Sequence, residues 1–154
     1  MKKELLEALF NNQGTQIEKV IACNSYTKKF GVTLSNEQAL ELVNERKSSL
    51  QHERRIEFGE GILEKLIFSF CDSPYIYQDN YKDTIASLQE IFYLYKNESL
   101  DEVTDDELID YMRNEFDGDC QGSLEYLEDT SLEKFAREVR FGTRKFIGRY
   151  EDDE

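Results

Sequence analysis

Asn80-Tyr81-Lys82-Asp83-Thr84-Ile85-Ala86-Ser87-Leu88-Gln89-Glu90-Ile91-Phe92-Tyr93-Leu94-Tyr95-Lys96-Asn97 decides the fold. Tyr81, Ile85, Leu88, Phe92 and Tyr95 recur at intervals of four, three, four and three, which places them on one face of an α-helix. A strand would need alternation, and none is present. The apolar stripe needs partners, and the segments on either side supply them.

On the N-terminal side, Ile62-Leu63-Glu64-Lys65-Leu66-Ile67-Phe68-Ser69-Phe70-Cys71 has almost no polar face, so it predicts a central apolar helix over 62–71. Asp72-Ser73-Pro74 ends it. Further upstream, Ser35 and Gln38 form a capping box that opens a helix reaching His52 or Arg54, with Ala39, Leu40, Val43 and Leu50 inward. Thr15 and Glu18 predict another box, preceded by a helix from Lys3 to Phe10. On the C-terminal side, Thr104 and Glu107 open a helix whose buried residues are Leu108, Ile109, Met112 and Phe116. Asp117-Gly118 closes it. A last helix starts near Ser131 and carries Leu132, Phe135, Ala136 and Val139 inward.

These signals predict an all-α fold, a compact bundle of about six to seven helices around the central helix 62–71. A brief extended piece would fit at Val20–Cys23 and at Ile56–Phe58, which leaves room for one very short strand pair. The single proline, Pro74, agrees with long uninterrupted helices. No internal repeat or low-complexity linker divides the chain. Residues 1–150 therefore read as one helical domain, and 151–154 as a frayed acidic tail.

Composition narrows the function classes. The net charge of −14 disfavours direct contact with nucleic acid or an anionic membrane surface, because both carry phosphates. The acidity is uneven. From Glu98 to Asp129 there are thirteen acids and one base, Arg113, whereas from Thr130 to Tyr150 there are six bases and two acids. Arg137, Arg140 and Arg144 share a helical face and are expected to dock on acidic surface of the same domain. No segment matches a signal peptide, and none approaches the roughly 18–20 apolar residues of a membrane span. A cytoplasmic location follows, and it suits Cys23, Cys71 and Cys120, which are odd in number and unpaired in spacing.

Several strings are distinctive: Glu57-Phe58-Gly59-Glu60-Gly61-Ile62-Leu63-Glu64-Lys65-Leu66, Phe70-Cys71-Asp72-Ser73-Pro74-Tyr75, Lys96-Asn97-Glu98, Asp105-Asp106-Glu107-Leu108 and Phe116-Asp117-Gly118-Asp119-Cys120-Gln121-Gly122-Ser123. Over roughly Phe30 to Glu128 the chain resembles a family of short bacterial proteins known only as a domain of unknown function. The resemblance implies a one-domain bacterial cytoplasmic protein. It brings no activity, cofactor or catalytic residue.

The sharpest chemical pattern runs from Asp117 to Glu128 and can be laid on an EF-hand calcium loop. Asp117, Asp119 and Gln121 fall at positions one, three and five, Gly122 at the turn position six, and Glu128 at the bidentate position twelve, with Glu125 nearby. Calcium or magnesium is the ion such a loop would take. Against it, Gln121 is longer than the usual ligand, Ser131 looks like a fresh N-cap, and no second loop exists. The competing reading is a helix cap at Gly118 followed by a Gly-Ser helix start.

Catalysis has less to stand on. His52 is the only histidine and lies in the charged run Gln51-His52-Glu53-Arg54-Arg55, so a Cys–His dyad or a zinc site would have to use it. Gly59-Glu60-Gly61 lacks the remainder of a phosphate loop. Asp105-Asp106 lies at a helix N-terminus, where carboxylates offset the macrodipole. The reading that fits best is a small acidic interaction or regulatory protein without catalysis or cofactor. Its contact surface would be Tyr75 and Tyr77 together with Asp101, Glu102, Asp105 and Asp106, facing a basic protein partner. A cation-binding protein is the runner-up, and an enzyme of unspecified class comes third.

Overall fold

A computed structural model of the chain describes residues 14–55 and 61–142, which are helical throughout apart from short connections. Helix α1 covers 14–22 and α2 covers Asn24–Thr27, prolonged by a 3-10 turn at Lys28–Phe30. There follow α3 (Asn36–His52), α4 (Ile62–Phe70), α5 (Gln78–Glu98), α6 (Asp105–Asp117), α7 (Leu124–Tyr126) and α8 (Leu132–Arg140). The all-α bundle is as the periodicity predicts, and no strand occurs among the described residues. Val20–Cys23 lies at the end of α1 and the turn after it. The expected piece at Ile56–Phe58, the helix from Lys3, and the tail 151–154 lie outside the described residues.

The capping signals form at two of the three sites. At α3, the Gln38 N–H donates to Ser35 Oγ at 3.1 Å while the Ser35 N–H donates to Gln38 Oε1 at 2.9 Å. At α6, Glu107 and Thr104 exchange the equivalent pair at 3.1 and 2.8 Å. Each box satisfies two amide protons that the first helical turn leaves without carbonyls. Thr15 does not open a helix, because α1 is already under way at Gly14.

Helix α5 spans about 30 Å at 1.5 Å per residue and packs against α3, α4, α6, α7 and α8. All five residues of its stripe are buried. Helix α4 buries Ile62, Leu63, Leu66, Ile67 and Phe70 between α3, α5 and α6 and leaves only Phe68 turned outward. The buried side chains of all these helices form one contiguous core. In α3 the inward residue is Leu42, not Leu40, which is 40% exposed. Leu42 and Val43 together fill the seam on α5, and either leucine satisfies the spacing.

The expected break at Ser131 is absent. Ser131 keeps helical angles (φ −63°, ψ −50°) and caps nothing, because α7 runs through a π-helical turn at Leu127–Ser131 directly into α8. Its hydroxyl donates instead to Glu115 Oε1 at 3.1 Å on α6. The wide turn lets Leu127, Leu132 and Phe135 all reach the core. Within it, the Tyr95 hydroxyl donates to the Glu128 carbonyl at 2.7 Å.

Candidate functional site

The acids expected to form a contact surface are mostly committed to cations of the same chain. Asp101 receives both guanidinium nitrogens of Arg55 at 2.8 and 3.2 Å. The Arg55 hydrogen bond holds the Asp101 carboxyl below its ordinary range. Asp105 pairs with Lys96 at 2.8 Å, and Asp106 with Lys65 at 2.9 Å. Lys96 is itself buried and also donates to the Val103 carbonyl. Of the four acids named, Glu102 alone has no partner among the described residues. Tyr75 is half-buried, edge-on to Phe116 with ring centroids 6.2 Å apart, while Tyr77 is exposed beside it. Tyr77 and Glu102 are exposed without such packing or pairing among the described residues, while Asp101, Asp105 and Asp106 are ion-paired but remain solvent-facing.

The loop from Asp117 to Glu128 is built as a cap. Asp117 accepts from Arg113 Nε at 2.6 Å and from Ser73 Oγ at 2.7 Å, so both carboxylate oxygens are occupied. Arg113 also pairs with Asp72 at 2.7 Å and donates to the Ser69 carbonyl. The Cys120 and Gly122 amides return to the Glu115 and Phe116 carbonyls and close α6. Ser123 then caps α7, its Oγ accepting from the Tyr126 N–H at 3.1 Å. Gly122 is required for two reasons: its φ is +83°, and a Cβ there would lie 2.7 Å from the Tyr75 side chain. Asp119 and Gln121 are exposed on the loop. Glu125 and Glu128 instead border a groove beside α3 and α5, so the five residues do not converge. Among the described residues no group of three or more His, Cys, Asp or Glu side chains is placed to hold a metal ion.

The three thiols are buried and bond to the Lys19 carbonyl, the Phe68 carbonyl and Ser131, not to His52. Burial pushes Cys23 up to about 11, and raises Cys71 and Cys120 as well. Such thiols stay protonated and are poor nucleophiles. His52 is 83% exposed, 3.8 Å from Glu53.

A different feature emerges between α3, α5 and α7. Glu45, Ser48, Ser49 and His52 share one face of α3, and Asp83, Ala86, Ser87, Glu90, Ile91 and Leu94 share the matching face of α5. With Leu124, Glu125 and Glu128 they line a groove of about 970 Å³. Six carboxylates border it and, among the described residues, no lysine or arginine does. Glu53 accepts from Asn97, and Asp83 pairs with Lys82 at 3.1 Å. Glu45, Glu90, Glu125 and Glu128 have no hydrogen-bonding or ionic side-chain partner among the described residues. Glu45 Oε1 is shut off from solvent with nothing donating to it.

Desolvation and then the neighbouring Glu90, Glu41 and Asp83 raise the Glu45 carboxyl, with Lys82 opposing. Desolvation, Asp129 and Glu90 raise Glu128. Burial is the first cause in both, and Glu90 acts on both carboxyls, while Lys82 partly offsets the negative field at Glu45.

Sequence reasoning missed this groove except for Glu125 and Glu128, which it placed in a metal loop. The signal was present in the spacing Asp83, Ser87, Glu90 with Ala86 and Leu94 between, a small and acidic stripe opposite the apolar one.

Fold and site together define an acidic all-helical bundle with a carboxylate-lined groove, and no helix among the described residues is long and apolar enough to cross a membrane. The chain belongs to a family of unknown function, DUF6323, whose model matches residues 19–145. No curated protein and no solved structure matches it.

Proposed function

We propose that this protein is a non-catalytic interaction or regulatory protein that takes a positively charged partner in the groove between α3, α5 and α7. The observation that carries this reading is a contrast in pairing: Asp101, Asp105, Asp106 and Asp117 each hold a lysine or arginine, whereas Glu45, Glu90, Glu125 and Glu128, gathered on one groove, hold none among the described residues. Like charges left facing one another in a concave, partly dry site repel more strongly than on open surface, and a cationic side chain relieves that repulsion. The partner face thus moves from the Asp101–Asp106 segment to the groove. The divalent-cation reading lacks comparable support, since Arg113 already occupies its first ligand, Asp117.

The test is a fluorescence-anisotropy titration of a labelled oligolysine into the wild-type chain and into a Glu45→Gln/Glu90→Gln/Glu128→Gln variant. The wild type should bind with steep salt dependence, and the variant should lose about tenfold or more, a difference of about 1.4 kcal/mol. Equal binding by both proteins rules the groove out as the partner site.

A further inference from the structure

We infer that the groove's occupant is an amphipathic basic segment, one that seats an apolar residue between its lysines or arginines, not a bare polycation. The inference rests on the groove reading above and names the class of partner. It stands on three features.

The first is the floor. Ala86 and Leu94 of α5 and Leu124 of α7 are each only half-buried and lie at the base of a site whose rim is acidic. A bare polycation engages the rim and leaves that apolar surface wet. A leucine-sized side chain covers it, at roughly 25 cal/mol for each Å² removed from water.

The second is size. About 970 Å³ is far more than a metal ion or a single ammonium group fills. It is at the upper end of the roughly 300–1,000 Å³ range of sites that enclose whole ligands. A groove between two packed helices, lined also by Leu124 and Glu128 from the segment after α6, is the kind of shape that receives a further helix by its apolar face.

The third feature is the orphaned acceptor. Glu45 Oε1 lies out of solvent without a donor, a state that costs free energy until something supplies an N–H. Glu90, Glu41 and Asp83 are the acids that act on it, and none can donate while ionised. A lysine or arginine seated by the occupant over the accessible side of that carboxylate supplies the missing charge. Charge and apolar surface are thus offered side by side, and only a ligand with both uses both.

The experiment compares two labelled helical peptides of about four turns, roughly 14 residues, with the same lysines, one carrying leucines on its second face and the other serines. Anisotropy titrations use the full chain, a Leu94→Ser variant, the triple Glu→Gln variant, and Glu37→Gln as a control away from the groove. The leucine peptide should bind about tenfold tighter than the serine peptide. Leu94→Ser should remove most of that advantage without changing the serine peptide, and the triple variant should weaken both. Glu37→Gln should change neither. Equal affinity for the two peptides, or an advantage that survives Leu94→Ser, overturns the inference and leaves the groove reading intact. Absence of binding, or binding indifferent to the triple variant, overturns both.

Discussion

Two acidic regions of this molecule contain the same kind of residue and meet opposite fates. Around the ends of α5 and α6, Asp101, Asp105, Asp106 and Asp117 are each held by a cation from another part of the chain or from one turn away: Arg55, Lys96, Lys65 and Arg113. In the groove, Glu45, Glu90, Glu125 and Glu128 line one surface with no such cation bonded to them among the described residues. The difference teaches that acidic density in sequence says little about where negative charge is available. Within the densest stretch, Glu98 to Asp129, the acids Glu98, Asp101, Asp105, Asp106 and Asp117 pin helices together, while Glu125 and Glu128 are left to the groove. The available field arises where two modest acidic faces, on helices some forty residues apart, are brought together by the α3–α5 seam.

The sharpest way to break the comparison is at Lys96, the least exposed of the pinning cations. Its side chain is 10% exposed and serves both Asp105 and the Val103 carbonyl. Lys96→Met keeps the volume and strips the charge, leaving a buried acceptor and an acid without partners. A loss of about 3 kcal/mol is expected in urea unfolding. A loss below about 1 kcal/mol would mean that these pairs are surface ornaments and not pins.

A smaller effect is expected at Arg113, which is more exposed but joins Asp72 and Asp117 and donates to the Ser69 carbonyl. Arg113→Lys preserves charge and removes the planar fork, so it separates geometry from Coulomb attraction. Arg113→Met should cost roughly 2 kcal/mol and Arg113→Lys at least half as much. Full rescue by lysine would show that only the charge matters at this junction.

Much of the fold was legible before any coordinates, because local rules govern it. The α5 stripe from Tyr81 to Tyr95 and the boxes at Ser35 and Thr104 rest on contacts within one or two turns, and sequence spacing encodes those directly. Leu40 and Leu42 show where that stops. They flank the Ala39, Val43 and Leu50 stripe on opposite sides, and which is buried depends on where α5 crosses. Ser131 shows a second limit: a serine that looks like a helix start is turned inward by a bond to Glu115, sixteen residues earlier. The groove was less legible still. Asp83, Ser87 and Glu90 read as an ordinary solvated face, and only the packing of α3 on one side and of the turn after α7 on the other gives them Glu45 and Glu128 as neighbours.

The smallest expected effect is also the one with the opposite sign, and it concerns stability against pH. The Glu45 and Glu128 carboxyls hold their protons more tightly in the folded chain than at the ordinary value of 4.5. A raised carboxyl favours the fold while protonated, and that contribution falls as pH rises from the unfolded value through the folded one. Above that window the ionised pair burdens the fold, so Glu45→Gln/Glu128→Gln should raise Tm at neutral pH. One kcal/mol corresponds to about 2–4 °C at this chain length, and the expected gain is of that order. Asp101 runs the other way: its carboxyl is lowered from 3.8 by Arg55, so its contribution is present above that value and lost as pH falls through the lower folded one. Asp101→Asn should therefore lower Tm at neutral pH and flatten the acid limb of the curve. Thermal melts of the three proteins from pH 3 to 8 check both directions at once. If the double glutamate variant tracks the wild type across the whole range, the groove carries no uncompensated charge, and the two acidic regions do not differ in the way their pairing implies.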